Sequence, residues 1–569
     1  MKQTFNPKAF KRICESGKKF VKKHEELMSR PRESQFDFLM RLLSENKDTE
    51  FGKKHNFANI KSYEDYVREV PLTDYDDYLP YIDRMIDNKE TDLISCYPIV
   101  HYASSSGSTG VPKRIPISIK NINLVSSYAA EIIFARLNEQ IENQGKEIGP
   151  ICFLPDFYWD YIDDNTTIGS ISAQIGYNFR DDFLSINTSP EPLQYLQEHS
   201  ADATYIKALF ALQHRDLSCI YSTFSSVTYE FIHTIETNWS GLVDDIRNGT
   251  LDPNLAISDE LREKLEKYLY ANPERANELQ AEFEKGFNST IIPRIWPNLA
   301  MYCSIGGSFF AEYTKKIQIL SGDIPFHHLC YVASESMFAI ARECDDPTYS
   351  PLLDDIFFEF RSIDEDDGKI YLMDELEVGK DYEIIISNMS GFYRYRMYDV
   401  FHIDKIVDKT PQGHIAFRLN QMVNMVGEHV STEDLEFVIK GLNKADNTHS
   451  TEYALYTDYS TAPGRYILLI EPDIDMGKGV QPHLASVADD LFKKANRSYN
   501  KYREQNTLGG PQIIYLEPSS FHLFKDVQVA GGISANQVKP VRLIDNKQKE
   551  QFFFGLSEGP YKAMKRVVF

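Results

Sequence analysis

The feature that most constrains the fold is a polar, glycine-containing segment that directly follows an apolar strand pattern. Residues 98–102 read Pro-Ile-Val-His-Tyr, and residues 104–113 read Ser-Ser-Ser-Gly-Ser-Thr-Gly-Val-Pro-Lys. Glycines let backbone N–H groups close around an anion, hydroxyls add donors, and a lysine adds positive charge. The segment lacks the glycine and the Ser/Thr that flank the lysine of a Walker A loop. We therefore expect a phosphate-binding loop of another kind, with a flexible Ser/Gly linker as the alternative.

Chain size and charge narrow the range of functions. The 569 residues carry 61 Lys and Arg against 84 Asp and Glu, a net charge of −23, which disfavours binding to nucleic acid. The length argues for at least two domains, and we find no apolar run long enough to span a membrane. The 7 cysteines are scattered and form no Cys-x-x-Cys pair. We therefore expect buried, reduced thiols, a cytoplasmic location and no nucleic-acid or membrane partner.

The order of sequence patterns predicts an α/β protein with two domains. The first hundred residues read as helices, and strand patterns dominate from residue 299, so a large α/β core with an appended β region is expected. After Arg418 a new series of helix and strand patterns begins, in which Ser431 and Asp434 are spaced as a capping box at the start of a helix. We therefore predict a domain over residues 1–420 and a small α/β domain over residues 421–569.

Four further segments carry side chains suited to nucleotide chemistry. Glu335 stands at the exit of a strand pattern, where a carboxylate can hold Mg²⁺ against phosphates. Residues 393–407 read as a strand. Its first part, Tyr-Arg-Tyr-Arg-Met-Tyr-Asp at residues 393–399, alternates as an amphipathic strand would and ends with Asp399, which can accept hydrogen bonds from a ribose diol. Gly307, after another strand pattern, permits the close approach of a flat group, and Lys539 lies on a loop where it can neutralise developing charge. Taken singly, each segment also fits an ordinary turn, strand or solvated lysine.

Taken in order, these segments resemble the GH3 acyl acid-amido synthetases, a branch of the adenylate-forming superfamily that includes acyl-CoA ligases. The resemblance begins with Asn-Lys-Asp-Thr-Glu-Phe-Gly-Lys-Lys-His-Asn-Phe at residues 46–57 and Val-Pro-Leu-Thr-Asp-Tyr at residues 70–75. It continues through the Ser/Gly loop and Trp-Pro-Asn at residues 296–298 to Asn-Gln-Val-Lys at residues 536–539. The fold it implies is a large N-terminal adenylate-forming domain with a small, mobile C-terminal domain.

The resemblance also implies a role for each candidate residue. Glu335 and Lys539 are the implied catalytic residues, Glu335 as the Mg²⁺-associated carboxylate and Lys539 as the lysine of the swinging domain. Asp399 is the implied ribose acceptor, and Arg418 the arginine at the interdomain hinge. The implied nucleotide-binding set is Ser105, Ser106, Gly107, Ser108, Thr109, Lys113, Gly307, Ser308, Tyr331, Ser334, Asp399 and Arg418. One position departs from the family pattern, which has glycine before the aspartate where this chain has Tyr398.

The activity that the resemblance implies has two steps. A small carboxylic acid reacts with ATP, in the presence of Mg²⁺, to give an acyl-adenylate, and the amine of an amino acid then displaces AMP to form an amide. Two alternatives remain open: an acyl-CoA synthetase that uses the same adenylate, and a non-catalytic small-acid binding protein. We expect the protein to act as a monomer. For the acyl group, residues 121–128 and 168–172 are the pocket candidates.

Overall fold

The computed structural model describes residues 5–104, 113–155, 157, 159–172, 180–194, 202–288, 290–307, 310–363, 368–419, 423, 425, 428, 430–461, 463–472, 484–531 and 538–555. The described residues divide into two compact units. The first runs to His414 without Tyr398–Val400, and the second runs from Ile415 and includes Tyr398–Val400. Among the described residues, no helix combines the length and the apolarity needed to cross a bilayer.

Helices dominate the start of the chain, as expected, and return between the strands. They are α1 (Pro7–Met28), α2 (Pro31–Asn46), α3 (Glu50–Lys54), α4 (Tyr63–Glu69), α5 (Tyr75–Asp87), α6 (Ile119–Asn143), α7 (Arg180–Ile186), α8 (Glu191–Gln194), α9 (Ala203–Gln213), α10 (Ser225–Asn248), α11 (Asp259–Glu266), α12 (Pro273–Phe283), α13 (Ile292–Ile295), α14 (Ala311–Ser321), α15 (Thr432–Asp446), α16 (Leu484–Ala495), α17 (Arg497–Glu504), α18 (Ser520–Ala530) and α19 (Lys547–Gly555). Short 3₁₀ turns cover Phe57–Asn59 and Met373–Glu375.

The described strands form four sheets. They are β1 (Ile99–Ser104), β2 (Arg114–Ser118), β3 (Ile151–Phe153), β4 (Trp159–Asp163), β5 (Thr166–Gly169), β6 (Cys219–Phe224), β7 (Met301–Ile305), β8 (Phe326–His327), β9 (Cys330–Ala333), β10 (Ser336–Ala341), β11 (Tyr349–Pro351), β12 (Ile356–Ser362), β13 (Ile370–Tyr371), β14 (Asp381–Asn388), β15 (Tyr395–Val407), β16 (Thr410–Arg418), β17 (Glu452–Asp458), β18 (Arg465–Glu471) and β19 (Gln512–Tyr515). The sheet orders are β2-β1-β5-β4, β3-β6-β7-β8, β13-β12-β14-β15-β16-β11-β10-β9 and β17-β18-β19.

The sheet β3-β6-β7-β8 is parallel throughout and is buried on both faces. Alternate residues of its strands face opposite ways, as the period of a strand requires. Cys152, Ile220 and Tyr302 pack with α9, α10 and α12 on one face. Phe153 and Cys303 pack with α1 and α6 on the other. The sheet is therefore the centre of the first unit, and the carboxyl ends of its strands are where α/β sheets generally bind ligands.

The second unit has its own sheet and its own core. Strand β18 lies between antiparallel β17 and parallel β19, and α15 and α16 pack against them. The predicted capping box is confirmed, because Ser431 Oγ accepts from the Asp434 N–H while Asp434 accepts from the Ser431 N–H. The α/β fold class with a large and a smaller domain is confirmed. The domain boundary at residue 420 stays a prediction.

Candidate active site

Lys113 lies immediately before β2, beside the partner strand β1. Its Nζ is 4.9 Å from the centroid of the Tyr75 ring, and the Tyr75 hydroxyl accepts a hydrogen bond from the Arg114 N–H at 3.0 Å. Ser104 is paired with Arg114 in the antiparallel β1–β2 ladder, so the Ser/Gly segment joins two neighbouring strands. A Walker A loop instead leads into a helix. The predicted residues Ser105, Ser106, Gly107, Ser108 and Thr109 lie outside the described residues.

The two glycines after β7 differ in whether their surroundings leave room for a side chain. A Cβ on Gly306 would lie 2.5 Å from ring carbons of Phe326 and 2.6 Å from Thr314 Oγ1, so packing requires glycine there. A Cβ on Gly307 would meet no described atom within 4 Å. Glycine at position 307 is therefore not explained by packing among the described residues, which is compatible with the close approach of a ligand. The neighbouring Ser308 lies outside the described residues.

Glu335 lies in the tight connection between β9 and β10, at the strand exit where the sequence predicts it. Its side chain is 7% exposed, and the Tyr395 hydroxyl donates to Oε1 at 3.3 Å. Asn388 Nδ2 donates to the Glu335 carbonyl at 3.1 Å and thereby holds the turn. Ser334 belongs to the same turn, and the Tyr331 ring stacks on Phe338 with centroids 4.8 Å apart. The carboxylate is therefore held in a fixed position on the eight-stranded sheet.

Asp399 lies within β15, which agrees with the strand predicted over residues 393–407 except that it begins at Tyr395. The chain stays extended to Val407 because Val400, Phe401 and Ile403 are buried and continue the ladder. Asp399 is 6% exposed, and Arg418 Nη1 lies 3.6 Å from its Oδ1. The structure thus brings together two residues that are 19 apart in the sequence. A buried carboxylate beside a guanidinium can accept hydrogen bonds from a pair of hydroxyls.

The two arginines before Asp399 do not form the exposed face of an amphipathic strand. Arg394 is 4% exposed and donates to both Glu359 oxygens at 3.0 and 3.1 Å. Arg396 donates to Glu383 at 2.9 Å. The simple alternation is broken because Arg394 has a φ of 49° and Tyr398 a φ of 61°. These residues are therefore structural anchors of the segment that leads to Asp399.

Lys539 lies in the second unit, three residues before a buried arginine. The Arg542 side chain is 6% exposed and donates to Glu452 Oε2 at 3.2 Å and to the Thr451 carbonyl at 3.2 Å. The Arg542 carbonyl accepts from the Leu455 N–H at 2.9 Å, which joins the segment to the edge of β17. Sequence reasoning missed Arg542. The only available signal was its position close to Lys539 in an otherwise loop-like segment.

A cavity of about 90 Å³ lies in the first unit against the face of the parallel sheet that α6 covers. Of the two predicted pocket segments, residues 168–172 contribute Ile171 and Ser172 to its lining. Residues 121–128 do not line it: Asn121 Nδ2 donates to Ser336 Oγ at 2.9 Å, and the Tyr128 hydroxyl donates to Asp354 at 2.7 Å. The part of α6 that lines the cavity comes one to two turns later, at Ile133, Phe134 and Leu137.

Burial shifts the pKa values of the titratable groups in this cavity. It raises the pKa of the Tyr221 hydroxyl well above its usual range, and the nearby thiols of Cys330, Cys303 and Cys219 add to the shift. It also raises the pKa of Cys330 to about 12. Both groups are therefore neutral at physiological pH. Among the described residues, no cluster of three or more His, Cys, Asp or Glu suits a metal ion.

Three family models match the chain in sequence order. The GH3 family N-terminal domain matches residues 20–326, the central domain residues 349–419 and the C-terminal domain residues 433–548. The chain belongs to the GH3 family. Within the GH3 models, Lys113 and Gly307 fall in the N-terminal match, Asp399 and Arg418 in the central match, and Lys539 in the C-terminal match.

Named relatives agree with the GH3 family match. The chain is 27% identical over 557 residues to the "Probable indole-3-acetic acid-amido synthetase GH3.11" of Oryza sativa subsp. japonica, covering 92% of this chain and 93% of that protein. It is 25% identical over 573 residues to the indole-3-acetic acid-amido synthetase GH3.17 of Arabidopsis thaliana, covering 91% and 92%. The similarity to GH3 proteins therefore extends over nearly the whole chain.

Solved structures share the fold of this GH3 chain. The AtGH3.15 acyl acid amido synthetase in complex with 2,4-DB superposes with a TM-score of 0.82 at 21% identity, covering 98% of this chain and 97% of that chain. A 2-hydroxyisobutyryl-CoA ligase in complex with 2-HIB-AMP superposes with a TM-score of 0.50 at 13% identity, covering 94% and 92%. These similarities show that the GH3 chain has the fold of an adenylate-forming ligase.

Proposed function

We propose that this chain is an ATP-dependent acyl acid-amido synthetase. It activates a small carboxylic acid as an acyl-adenylate and transfers the acyl group to the amine of an amino acid. One observation carries the proposal: the three GH3 family models match in order between residues 20 and 548, and Lys113, Gly307, Asp399, Arg418 and Lys539 lie inside the matched segments. Relatives named as indole-3-acetic acid-amido synthetases support an amide product.

In the first step the acid's carboxylate oxygen attacks the α-phosphorus of ATP, which is a substrate here, and pyrophosphate leaves. Asp399 accepts hydrogen bonds from the ribose hydroxyls, with Arg418 beside it at 3.6 Å to compensate its charge. The Ser/Gly loop and Lys113 donate to the phosphates, and Gly307 leaves room for the nucleotide to approach the backbone. Lys539 neutralises the negative charge that develops on the transferring group. The protein thus supplies position and charge, with no covalent bond to the substrate.

The donor set fits a magnesium ion shared with phosphates. Glu335 offers one carboxylate, and Mg²⁺ in nucleotide sites is commonly bound by one or two carboxylates together with phosphate oxygens. When bound, the ion would neutralise charge on the phosphates. Glu335 suits this role because Tyr395 and Asn388 hold its side chain and backbone in place before the ion arrives.

In the second step the amino acid's amine attacks the acyl carbon, the carbon–oxygen bond to AMP breaks, and the amine nitrogen loses a proton. We propose that residues 421–569 rotate between the steps and withdraw Lys539. Residues 419–426 would supply the hinge, because a few residues suffice to absorb such a rotation. The enzyme acts as a monomer in the cytoplasm, a location supported by seven free thiols, five of them buried.

The acyl group occupies the cavity against the parallel sheet. Thr223 and Ile305 line it close to the carboxyl ends of β6 and β7, and Gly307 follows two residues after Ile305. The position at the carboxyl ends of parallel strands is where ligands bind in sheets of this type. An acid whose body enters the cavity would therefore present its carboxylate near Gly307.

Pyrophosphate exchange with a panel of aromatic and aliphatic acids tests the first step, and mass spectrometry of products tests the second. We expect acid-dependent exchange, and an amide when mixed amino acids are added. A thioester formed with CoA, in place of an amide, would identify an acyl-CoA synthetase. Acid binding without exchange would identify a non-catalytic binding protein.

Two variants test the catalytic assignments. Lys539→Ala should slow exchange by about 10²-fold if Lys539 is a major donor in the transition state. Lys501→Ala, which removes another exposed lysine of the second unit, is its control. Glu335→Ala should raise the Mg²⁺ concentration needed for half-maximal turnover. An unchanged exchange rate in the first variant, or a wild-type Mg²⁺ titration in the second, would remove the assignment.

A further inference from the structure

The cavity is lined by alternate residues of one strand. Cys219, Tyr221 and Thr223 of β6 all face it, and the α6 residues Ile133 and Leu137 cover them from the opposite side. A strand period of two places these three side chains on one face. The Tyr221 ring is held by stacking on Phe153, with centroids 4.6 Å apart and planes 16° apart. The position of the Tyr221 hydroxyl is thereby fixed relative to the cavity.

The described lining contains no Asp, Glu, Lys, Arg or His. A second charge on a substrate would therefore lose its hydration without meeting an opposite charge, and burial of an unpaired charge is strongly unfavourable. The cavity volume of about 90 Å³ is smaller than the apolar cavity of ~150 Å³ that admits benzene in a protein core. The cavity thus favours an uncharged apolar body of a few carbon atoms, smaller than a benzene ring.

The polar groups of the lining differ in whether they already have partners. Ser172 Oγ lies 2.9 Å from Ser170 Oγ, and the Asn187 side chain hydrogen-bonds to Gln194 and to the Ser189 N–H. In the part of the chain that the structure describes, no hydrogen bond reaches the Tyr221 hydroxyl. The Tyr221 side chain is half-buried, and its hydroxyl can form a hydrogen bond when a ligand in the cavity supplies a partner.

We infer that Tyr221 is a specificity-determining residue for the acid. Its hydroxyl hydrogen-bonds to one polar group at the far end of a singly charged acid with a small apolar body. This inference rests on the proposed function, because it takes the acyl group as the occupant of the cavity. The selected class is therefore a monocarboxylate that carries one neutral hydrogen-bonding group, such as a hydroxyl, away from its carboxylate.

The test compares acids that differ by one group. With butanoate, 4-hydroxybutanoate and pentanedioate in pyrophosphate exchange, we expect the hydroxylated acid to be preferred over butanoate in kcat/KM by about fivefold, the value of one net hydrogen bond. The dicarboxylate should be rejected. Tyr221→Phe should bring the ratio of the two monocarboxylates to about one, mainly through KM. Tyr302→Phe, on the opposite face of the same sheet, should leave the ratio unchanged.

A binding measurement separates this inference from the proposed function. 1-Butanol and 1-chlorobutane have no carboxylate, so their binding does not depend on catalysis. We expect 1-butanol to raise the melting temperature of the wild type more than 1-chlorobutane does, and Tyr221→Phe to abolish the difference. If no acid supports exchange but 1-butanol is still preferred, the enzyme is refuted and the site is retained. An unchanged acid ratio or an unchanged 1-butanol preference in Tyr221→Phe, or acceptance of the dicarboxylate, would overturn the inference.

Discussion

Replacement of Arg542 by alanine should uncouple Lys539 from the sheet that carries it. The guanidinium donates to Glu452 and to the Thr451 carbonyl, both at 3.2 Å, and lies 4.2 Å from the centroid of the Tyr453 ring. These contacts attach the chain three residues after Lys539 to the edge of β17. In the proposed mechanism Arg542 is thus a positioning residue, because it would act on the reacting atoms only through Lys539.

The size of the effect follows from these contacts. A cation–π contact is worth about 0.5–2 kcal/mol, and a hydrogen bond to a charged group about 1.5–3 kcal/mol. Glu452 is 21% exposed, so the loss of its partner is partly compensated by water. We therefore expect Arg542→Ala to lower the free energy of unfolding of the second unit by about 2–4 kcal/mol, at the low end of the range for breaking a buried ion pair. Arg542→Lys keeps the charge but loses the planar fork, so its loss should be smaller.

The assay is pyrophosphate exchange below the melting temperature of each variant. Arg542→Ala should lower kcat by about tenfold or more, since misplaced charge stabilisation reduces the rate, and leave KM for the acid nearly unchanged. Arg542→Lys should restore part of the rate. Arg503→Ala is the control, because Arg503 donates to Asp489 at 2.7 Å in the same unit but is remote from Lys539 in the sequence. A folded Arg542→Ala protein with the exchange rate of the Arg503→Ala protein would refute the positioning role.

Three further predictions concern single positions. Gly306→Ala should lower the free energy of unfolding by about 1–3 kcal/mol, because its Cβ would lie 2.5 Å from the Phe326 ring. Gly307→Ala should have the melting temperature of the wild type but a higher KM for ATP, because its Cβ meets no described atom within 4 Å. Melting curves and exchange kinetics measure the two effects. At position 398, where φ is 61°, Tyr398→Gly should be about 1 kcal/mol more stable in urea than Tyr398→Ala, since only glycine adopts this backbone freely. Burial, together with nearby Arg342, lowers the pKa of His24 to about 4, so the unfolded state binds a proton below pH 6.5 that the folded state does not. Stability should therefore fall as pH decreases from 6.5 towards 4, and His24→Gln should lose about 2 kcal/mol less than the wild type between pH 6.5 and pH 5, as measured by denaturant titration.

Local signals in the sequence predicted the parts of the site that depend on a few neighbouring residues. The turn that carries Glu335 follows an apolar strand and precedes another, and the structure has both strands as β9 and β10. The Ser431–Asp434 capping box likewise needs only four residues to form. In each case the hydrogen bonds that define the feature lie within the segment itself, so the sequence pattern was sufficient.

The cavity that we propose for the acyl group could not be placed in the same way, because it depends on segments far apart in the chain. Residues 121–128 were reasonable candidates as the start of an apolar helix, but that part of α6 is held by Ser336 and Asp354. The lining is determined by which turn of α6 lies over Tyr221 of β6, and no local pattern specifies that registry. Tyr221 carried no signal in the sequence, since a tyrosine in a strand is most simply interpreted as part of the core.

The position before Asp399 shows what a family resemblance contributes and what the structure adds. The resemblance gives glycine as the usual residue, and the φ of 61° at Tyr398 gives a physical reason, since glycine adopts this conformation without a steric penalty. A bulky residue persists in a left-handed conformation only where its surroundings stabilise it, at a cost of about 1–3 kcal/mol. The partly buried Tyr398 side chain must therefore gain contacts that glycine would lack. Because Asp399 is the next residue, those contacts act on the proposed ribose acceptor, and nucleotide affinity in this chain should depend on the Tyr398 side chain as well as on Asp399.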